Sequence, residues 1–93
     1  MAQTTKITIT NDAWTAMPKD GPFVCVQPQA PMSMIVRIDD VAPDDEDVTG
    51  LIIAGANGEN APRSFSAGNV PDGAILYART KDQADAELTV ITY

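Results

Sequence analysis

Lys6-Ile7-Thr8-Ile9-Thr10 is the stretch that settles how this chain is read. Two isoleucines alternate with a lysine and two threonines. In a pleated strand successive side chains point to opposite faces, so Ile7 and Ile9 share one face and Lys6, Thr8 and Thr10 the other. The same period of two returns in Phe23-Val24-Cys25-Val26-Gln27, in Met34-Ile35-Val36-Arg37-Ile38 and in Glu87-Leu88-Thr89-Val90-Ile91-Thr92-Tyr93. Alternation of this kind marks a half-buried strand and leaves little room for helices.

Working outward, strands are predicted over 5–10, 23–27, 34–39, 51–54, 63–66, 74–79 and 87–92, with 13–17 an extended segment or a single turn. Turn chemistry separates them: Asn11-Asp12, Pro18-Lys19-Asp20-Gly21-Pro22, Pro28-Gln29-Ala30-Pro31 and residues 68–73. Asn57-Gly58 suits a two-residue hairpin, and the polar residues 80–86 fit a loop or a helical turn. Val24 and Val26 oppose Phe23 and Cys25, so that strand is expected to be central or covered on both faces. Met34, Val36 and Ile38 oppose Ile35 and Arg37; Ile75 and Tyr77 oppose Leu76 and Ala78; Leu88 and Val90 oppose Thr89 and Ile91. The expected fold is one all-β domain over residues 1–93, a small antiparallel β-sandwich or barrel of about seven to eight short strands.

Ninety-three residues suffice for one domain with a thin core but not for a large enclosed cavity. A binding site is therefore expected on the surface or between subunits. The net charge is −7 and histidine is absent. The six cations, Lys6, Lys19, Arg37, Arg63, Arg79 and Lys81, are scattered. That balance disfavours nucleic acid and anionic membranes as partners and suits docking onto a basic surface. Cys25 is single, which excludes an intrachain disulfide; a buried small hydrophobe is its expected role. The N-terminus shows no basic stretch leading into an apolar core, and no apolar run reaches the roughly 18–20 residues that cross a bilayer.

Without histidine, Ser–His and Cys–His nucleophilic arrangements are excluded, and no glycine-rich phosphate loop is present. The expectation is a protein that is not an enzyme and uses no cofactor. One constellation remains: Asp39, Asp40, Asp44, Asp45, Glu46 and Asp47 crowd around Pro43. Mutual repulsion predicts an exposed, solvated loop. Oxygen-only clusters also suit calcium, although the EF-hand glycine and terminal glutamate are missing. No metal set is assigned. Trp14, the only tryptophan, is expected as a lid on the core, with a partner interface as the alternative. Arg63 and Phe65 share a strand face, as do Tyr77 and Arg79; packing of the long arginine stems against the sheet is expected.

Ile7-Thr8-Ile9-Thr10-Asn11-Asp12-Ala13-Trp14-Thr15-Ala16 resembles the opening of many small phage and prophage virion proteins: a strand followed by an N-x-x-W-T step. Gly21-Pro22-Phe23-Val24-Cys25-Val26-Gln27 is similar to their next element, a Gly-Pro turn and a V-x-V-Q strand. Val36-Arg37-Ile38, the acidic Pro43 loop, Gly50-Leu51, Arg63-Ser64-Phe65, Leu76-Tyr77-Ala78-Arg79 and Thr89-Val90-Ile91-Thr92 continue the likeness over nearly the whole chain. The resemblance implies a virion structural component, made in the host cytoplasm, that decorates or stabilises the capsid without catalytic residues. It implies a homo-oligomer, often a homotrimer, bound to virion proteins such as the major capsid protein. Trp14, Met17, Met32, Met34 and Tyr93 are the expected contact residues, with core filling the alternative for the methionines. Two other functions stay open: a tail or fibre accessory binding host carbohydrate or another virion protein through exposed aromatics, and a calcium-dependent hydrolase on the acidic loop.

Overall fold

The computed structural model describes residues 3–19, 21–29, 32–53, 64–81 and 84–93. Among these the chain forms eight strands and no helix: β1 (Gln3–Thr10), β2 (Thr15–Ala16), β3 (Val24–Pro28), β4 (Met34–Asp39), β5 (Leu51–Ile53), β6 (Phe65–Ala67), β7 (Ile75–Thr80) and β8 (Asp85–Thr92). They make two four-stranded sheets, β1-β8-β3-β6 and β2-β7-β4-β5, with every pairing antiparallel. Consecutive strands lie in opposite sheets except β4 and β5. That connectivity is a jelly roll, a sandwich of two interleaved Greek keys.

β8 organises the first sheet. It pairs with β1 from Gln3↔Thr92 to Thr10↔Asp85, and with β3 from Val24↔Thr92 to Pro28↔Leu88. The registers place Ile7 and Ile9 beside Leu88, Val90, Val24 and Val26 on one face. That face meets Met34, Val36, Leu76 and Ala78 from the second sheet, and together they form the core. The alternation of apolar residues thus finds its physical cause, because Ile9, Val24, Val26, Met34, Val36, Leu76, Ala78, Leu88 and Val90 are almost wholly withdrawn from water, with Ile7 partly buried against them. The strand at 23–27 is internal, as its two-sided apolarity required, lying between β8 and β6.

Local chemistry explains the ends. Gln29 N–H donates to the Glu87 carbonyl. Backbone N–H groups alternate in direction, so a residue at 28 would direct its N–H towards β6, which pairs only with Val24 to Val26. Proline, which has no N–H, fits there without breaking a ladder. Gly21 lies so close to the Tyr93 backbone that a Cβ would sit 2.8 Å from its carbonyl oxygen. Gly50 is equally confined, with 2.7 Å from a would-be Cβ to the Val36 carbonyl oxygen. Gly73 adopts φ +85° in the turn before β7, a conformation glycine takes without steric cost. Lys19 Nζ donates to the carbonyls of Pro71 and Ala74, fastening that turn to the chain after β2.

The contact set expected from sequence needs correction. Met17, Met32 and Met34 are buried in the core cluster. A side chain withdrawn from solvent cannot meet a neighbouring subunit, so these methionines fill irregular core space instead. Cys25 also differs from expectation: it is a free, half-buried thiol on the outer face of its sheet, opposite Ile91 and Ser66. Polar residues 80–86 give no helical turn among those described, since β7 runs to Thr80 and β8 begins at Asp85. The Asn57-Gly58 turn and the Arg63 side chain lie outside the described residues.

Leu88 is fully buried, and truncating it leaves a cavity as well as lost contacts. Leu88→Ala is expected to cost about 2–5 kcal/mol in urea unfolding. Gly50→Ala is expected to cost at least ~1 kcal/mol through the clash with β4, whereas Gly68→Ala, where a Cβ meets nothing, should leave the midpoint nearly unchanged.

Candidate interaction surface

Three surface features stand out among the described residues. The first feature is built on the outer face of the second sheet. Register places Ile35 opposite Arg79, and Arg37 opposite Tyr77. These four residues point away from the core, yet Ile35, Tyr77 and Arg79 are buried. Their cover includes the segment joining β4 to β5, the acidic run.

Arg79 is only 4% exposed. Its Nη1 donates to the Asp45 carbonyl at 2.7 Å, and its Nη2 donates to the Asn11 carbonyl. Trp14 lies beside it, with the guanidinium carbons of Arg79 and Arg37 5.1 and 5.6 Å from the ring centroid. The indole Nε1–H donates to the Asp47 carbonyl at 2.6 Å. Arg37 closes the far side: its Nη1 donates to the Thr49 carbonyl at 3.1 Å and meets Asp47 Oδ2 at 3.1 Å, while its Nε donates to Asp39. An Asp47 N–H to Asp44 carbonyl bond and a Thr49 N–H to Asp47 carboxylate bond shape the loop itself.

Trp14 is therefore not a lid on the core. Parity places it on the outer face, where both guanidinium groups lie against its ring and its N–H pins the loop. Its indole is half-buried beneath that loop, which removes it from the set of freely exposed contact residues. The aromatic partner of Arg79 is this tryptophan, brought across from β2, rather than Tyr77 on its own strand. The loop is exposed, as repulsion required, but it is docked by two cations. Asp39 and Asp47 are already engaged by Arg37, and no three acidic or thiol groups among the described residues gather as a metal-holding group.

The pairing perturbs two titrating groups. Hydrogen bonds from Thr49, the backbone amide first, and then from Arg37 hold Asp47 below its ordinary value. Hydrogen bonds to Asp39 and then Asp47 push Arg37 up.

Two exposed apolar areas remain. Phe23 and Tyr93 exchange backbone hydrogen bonds across the β3–β8 end, and their rings stack at 5.3 Å and 16°. Tyr93 is 52% exposed, and Ile91 continues the patch. Of the five contact residues expected from sequence, Tyr93 alone is openly on the surface. The second area surrounds β5, where Ile38, Val41, Val48, Leu51 and Ile52 are exposed. Beside it a cavity of about 290 Å³ opens between the sheets, lined by Val36, Ile38, Leu51, Phe65 and Leu76 together with Arg37, Thr49 and Gly50. Sequence reading missed this area, although Leu51-Ile52-Ile53 is apolar at every position and so already lacks a solvent-facing side.

Compared with protein-family models, with curated proteins and with solved structures, the chain finds no match.

Arg79→Met should lose two charge-assisted hydrogen bonds and a ring contact, lowering stability by roughly 1–3 kcal/mol and exposing the amides of 44–49 to hydrogen exchange. A carboxylate with a lowered folded pKa stabilises fully above its unfolded value, about 3.9 for aspartate, and loses that contribution as pH falls through the folded value. Trp14 emission should accordingly hold constant from neutral pH to about 4 and shift only in stronger acid; a transition centred near neutrality would refute the Asp47 assignment.

Proposed function

We propose that this chain is a bacteriophage or prophage virion structural protein that decorates or stabilises the capsid through non-covalent contacts. The observation that carries the reading is the combination of a jelly-roll block with apolar residues gathered on its outside around β5. Jelly rolls serve as capsid and lectin domains, among other uses. That likeness is one of architecture, and function resides in the surface. The sequence resemblance to small virion proteins runs in the same direction. A rigid sandwich suits a part that binds a repeating shell, and the acidic charge suits a basic shell surface. Major capsid protein is the proposed partner, in a homo-oligomer, with a trimer the first expectation, assembled in the virion after synthesis in the host cytoplasm. No helix among the described residues is long and apolar enough to cross a membrane.

One observation favours a second reading, a tail or fibre accessory: the exposed Phe23–Tyr93 pair offers an aromatic platform for a carbohydrate or another virion protein. Trp14 would take no part in it, being held beneath the loop. A calcium-dependent hydrolase is the weakest reading, since Arg37 occupies two of the six carboxylates.

Mass spectrometry of purified particles from a lysogen carrying the gene tests the proposal. The chain should appear in a fixed ratio to the major shell protein, and particles lacking it should disrupt at lower temperature. Light scattering of the free protein should give three times the 9.9 kDa chain mass. Recovery only with purified tails, together with glycan binding lost in Tyr93→Ala, would replace the capsid reading by the second.

A further inference from the structure

Five of the eight large hydrophobic residues exposed among those described fall between Ile38 and Ile52. The register explains why. Leu51 and Ile53 share the core-facing side of β5 with Val36 and Met34 of β4. Yet, among the described residues, β5 is the last strand of its sheet, and facing it β6 has only three residues. Leu51 is therefore turned inward but remains 61% exposed, and Ile38, also on the inward side of its strand, is 41% exposed. The roughly 290 Å³ cavity lies between them, reaching in to Val36, Leu76 and Phe65. Such a space equals about ten waters at bulk volume, and walls this apolar give water few hydrogen bonds. One large apolar side chain would be better accommodated there.

The rim is predominantly acidic, and Arg37, which lines the cavity, is held by two of its carboxylates. Asp39 and Asp40 follow Ile38 directly, and Asp44, Asp45, Glu46 and Asp47 lead back to Val48 and Leu51. Arg37 pairs with Asp39 and Asp47 only; Asp40, Asp44, Asp45 and Glu46 form no ion pair among the described residues. The clamp of Trp14, Arg37 and Arg79 fixes this charge beside the mouth. A second copy placed symmetrically here would bring two such rims together, and like charges across an interface are strongly unfavourable. A partner with cations at its periphery is attracted instead.

We infer that the open β5 side of the sandwich is a docking site for an extended segment of a partner protein, apolar at its centre and flanked by lysine or arginine. The segment lies along β5 as an added strand, its backbone bonding to the sheet edge. A central apolar side chain enters the cavity between Ile38, Leu51 and Phe65, and its flanking cations meet the 39–47 carboxylates. This assignment concerns the chemistry of the partner and holds whether or not that partner belongs to a capsid. Any homo-oligomer then uses a different face.

Selection from a library of random displayed dodecapeptides tests it, with Leu51→Asp protein as the counter-target. Leu51 is mostly exposed, so that variant should keep the wild-type melting temperature, which is checked first; Ile52→Asp serves if it does not. Enriched peptides should carry two or three alternating apolar residues between Lys or Arg. The best of them, synthesised, should shift the amide resonances of 36–38 and 48–53 and leave 87–92 unmoved. Its affinity should drop at least tenfold with Leu51→Asp, tenfold when its cations become Glu, and steadily with added salt. Enrichment of acidic or uncharged peptides, equal binding by the variant, shifts confined to Phe23 and Tyr93, no enrichment at all, or a wild-type dimer that Leu51→Asp dissociates would each overturn the assignment.

Discussion

The last strand lying between the first and the third is the constraint on which everything else in this molecule rests. β8 is adjacent in sequence to β7 but pairs with β1 and β3 in the other sheet. A chain that folded back as a simple hairpin at 81–84 would put β7 and β8 side by side and leave β1 without a partner. By crossing over, β8 satisfies eight residues of β1 on one edge and five of β3 on the other. The inward faces of both sheets then come into line, and Leu88 and Val90 are sealed against Leu76 and Ala78. Backbone pairing and apolar burial favour the same topology, the consistency expected of a sequence with one fold.

Once β7 is fixed against β4, its alternate residues are fixed as well. Leu76 and Ala78 go to the core, so Tyr77 and Arg79 must face outward beside Ile35 and Arg37. Two guanidinium groups on one sheet face need acceptors, and the β4–β5 connection, the single connection that stays within a sheet, supplies several of them, with Asp39 and the Asn11 carbonyl completing the set. A charge run that would otherwise repel itself is drawn down by the arginines and by the Trp14 N–H. The core topology thus reaches the surface: it determines where the carboxylates stand and leaves the β5 side apolar between them.

Period-two alternation makes the strands, and which residues share a face, legible in the sequence. The bounds of the strand from Met34 to Asp39 follow from alternation, as does the pairing of Val24 with Val26 and of Leu88 with Val90 on shared faces; which face turns inward follows only from strand order, since 23–27 is apolar on both sides. The Trp14 environment is not legible. A two-residue strand carries too little pattern to assign a face, and the groups that hold the indole come from residues 37, 47 and 79, joined only by strand order. Arg79 bonds to Asn11 across 68 positions, a contact that no local signal announces. The methionines misled for a related reason: their flexible chemistry suits contact surfaces and cores equally, and burial depends on the sheet opposite. A usable signal did exist in the outward arginines of two strands together with an acidic run, since such a set invites pairing. The openness at Leu51 depends on how short β6 is, which the apolar residues themselves do not encode.

Cross-strand nuclear Overhauser contacts of Thr89 test the account most directly. Thr89 lies opposite Lys6 on one side and Gln27 on the other, so contacts to both are predicted, with none between β7 and β8 as a hairpin. Contacts from Thr89 to β7 in place of Lys6 or Gln27 would contradict the interleaved sheets and everything built on them.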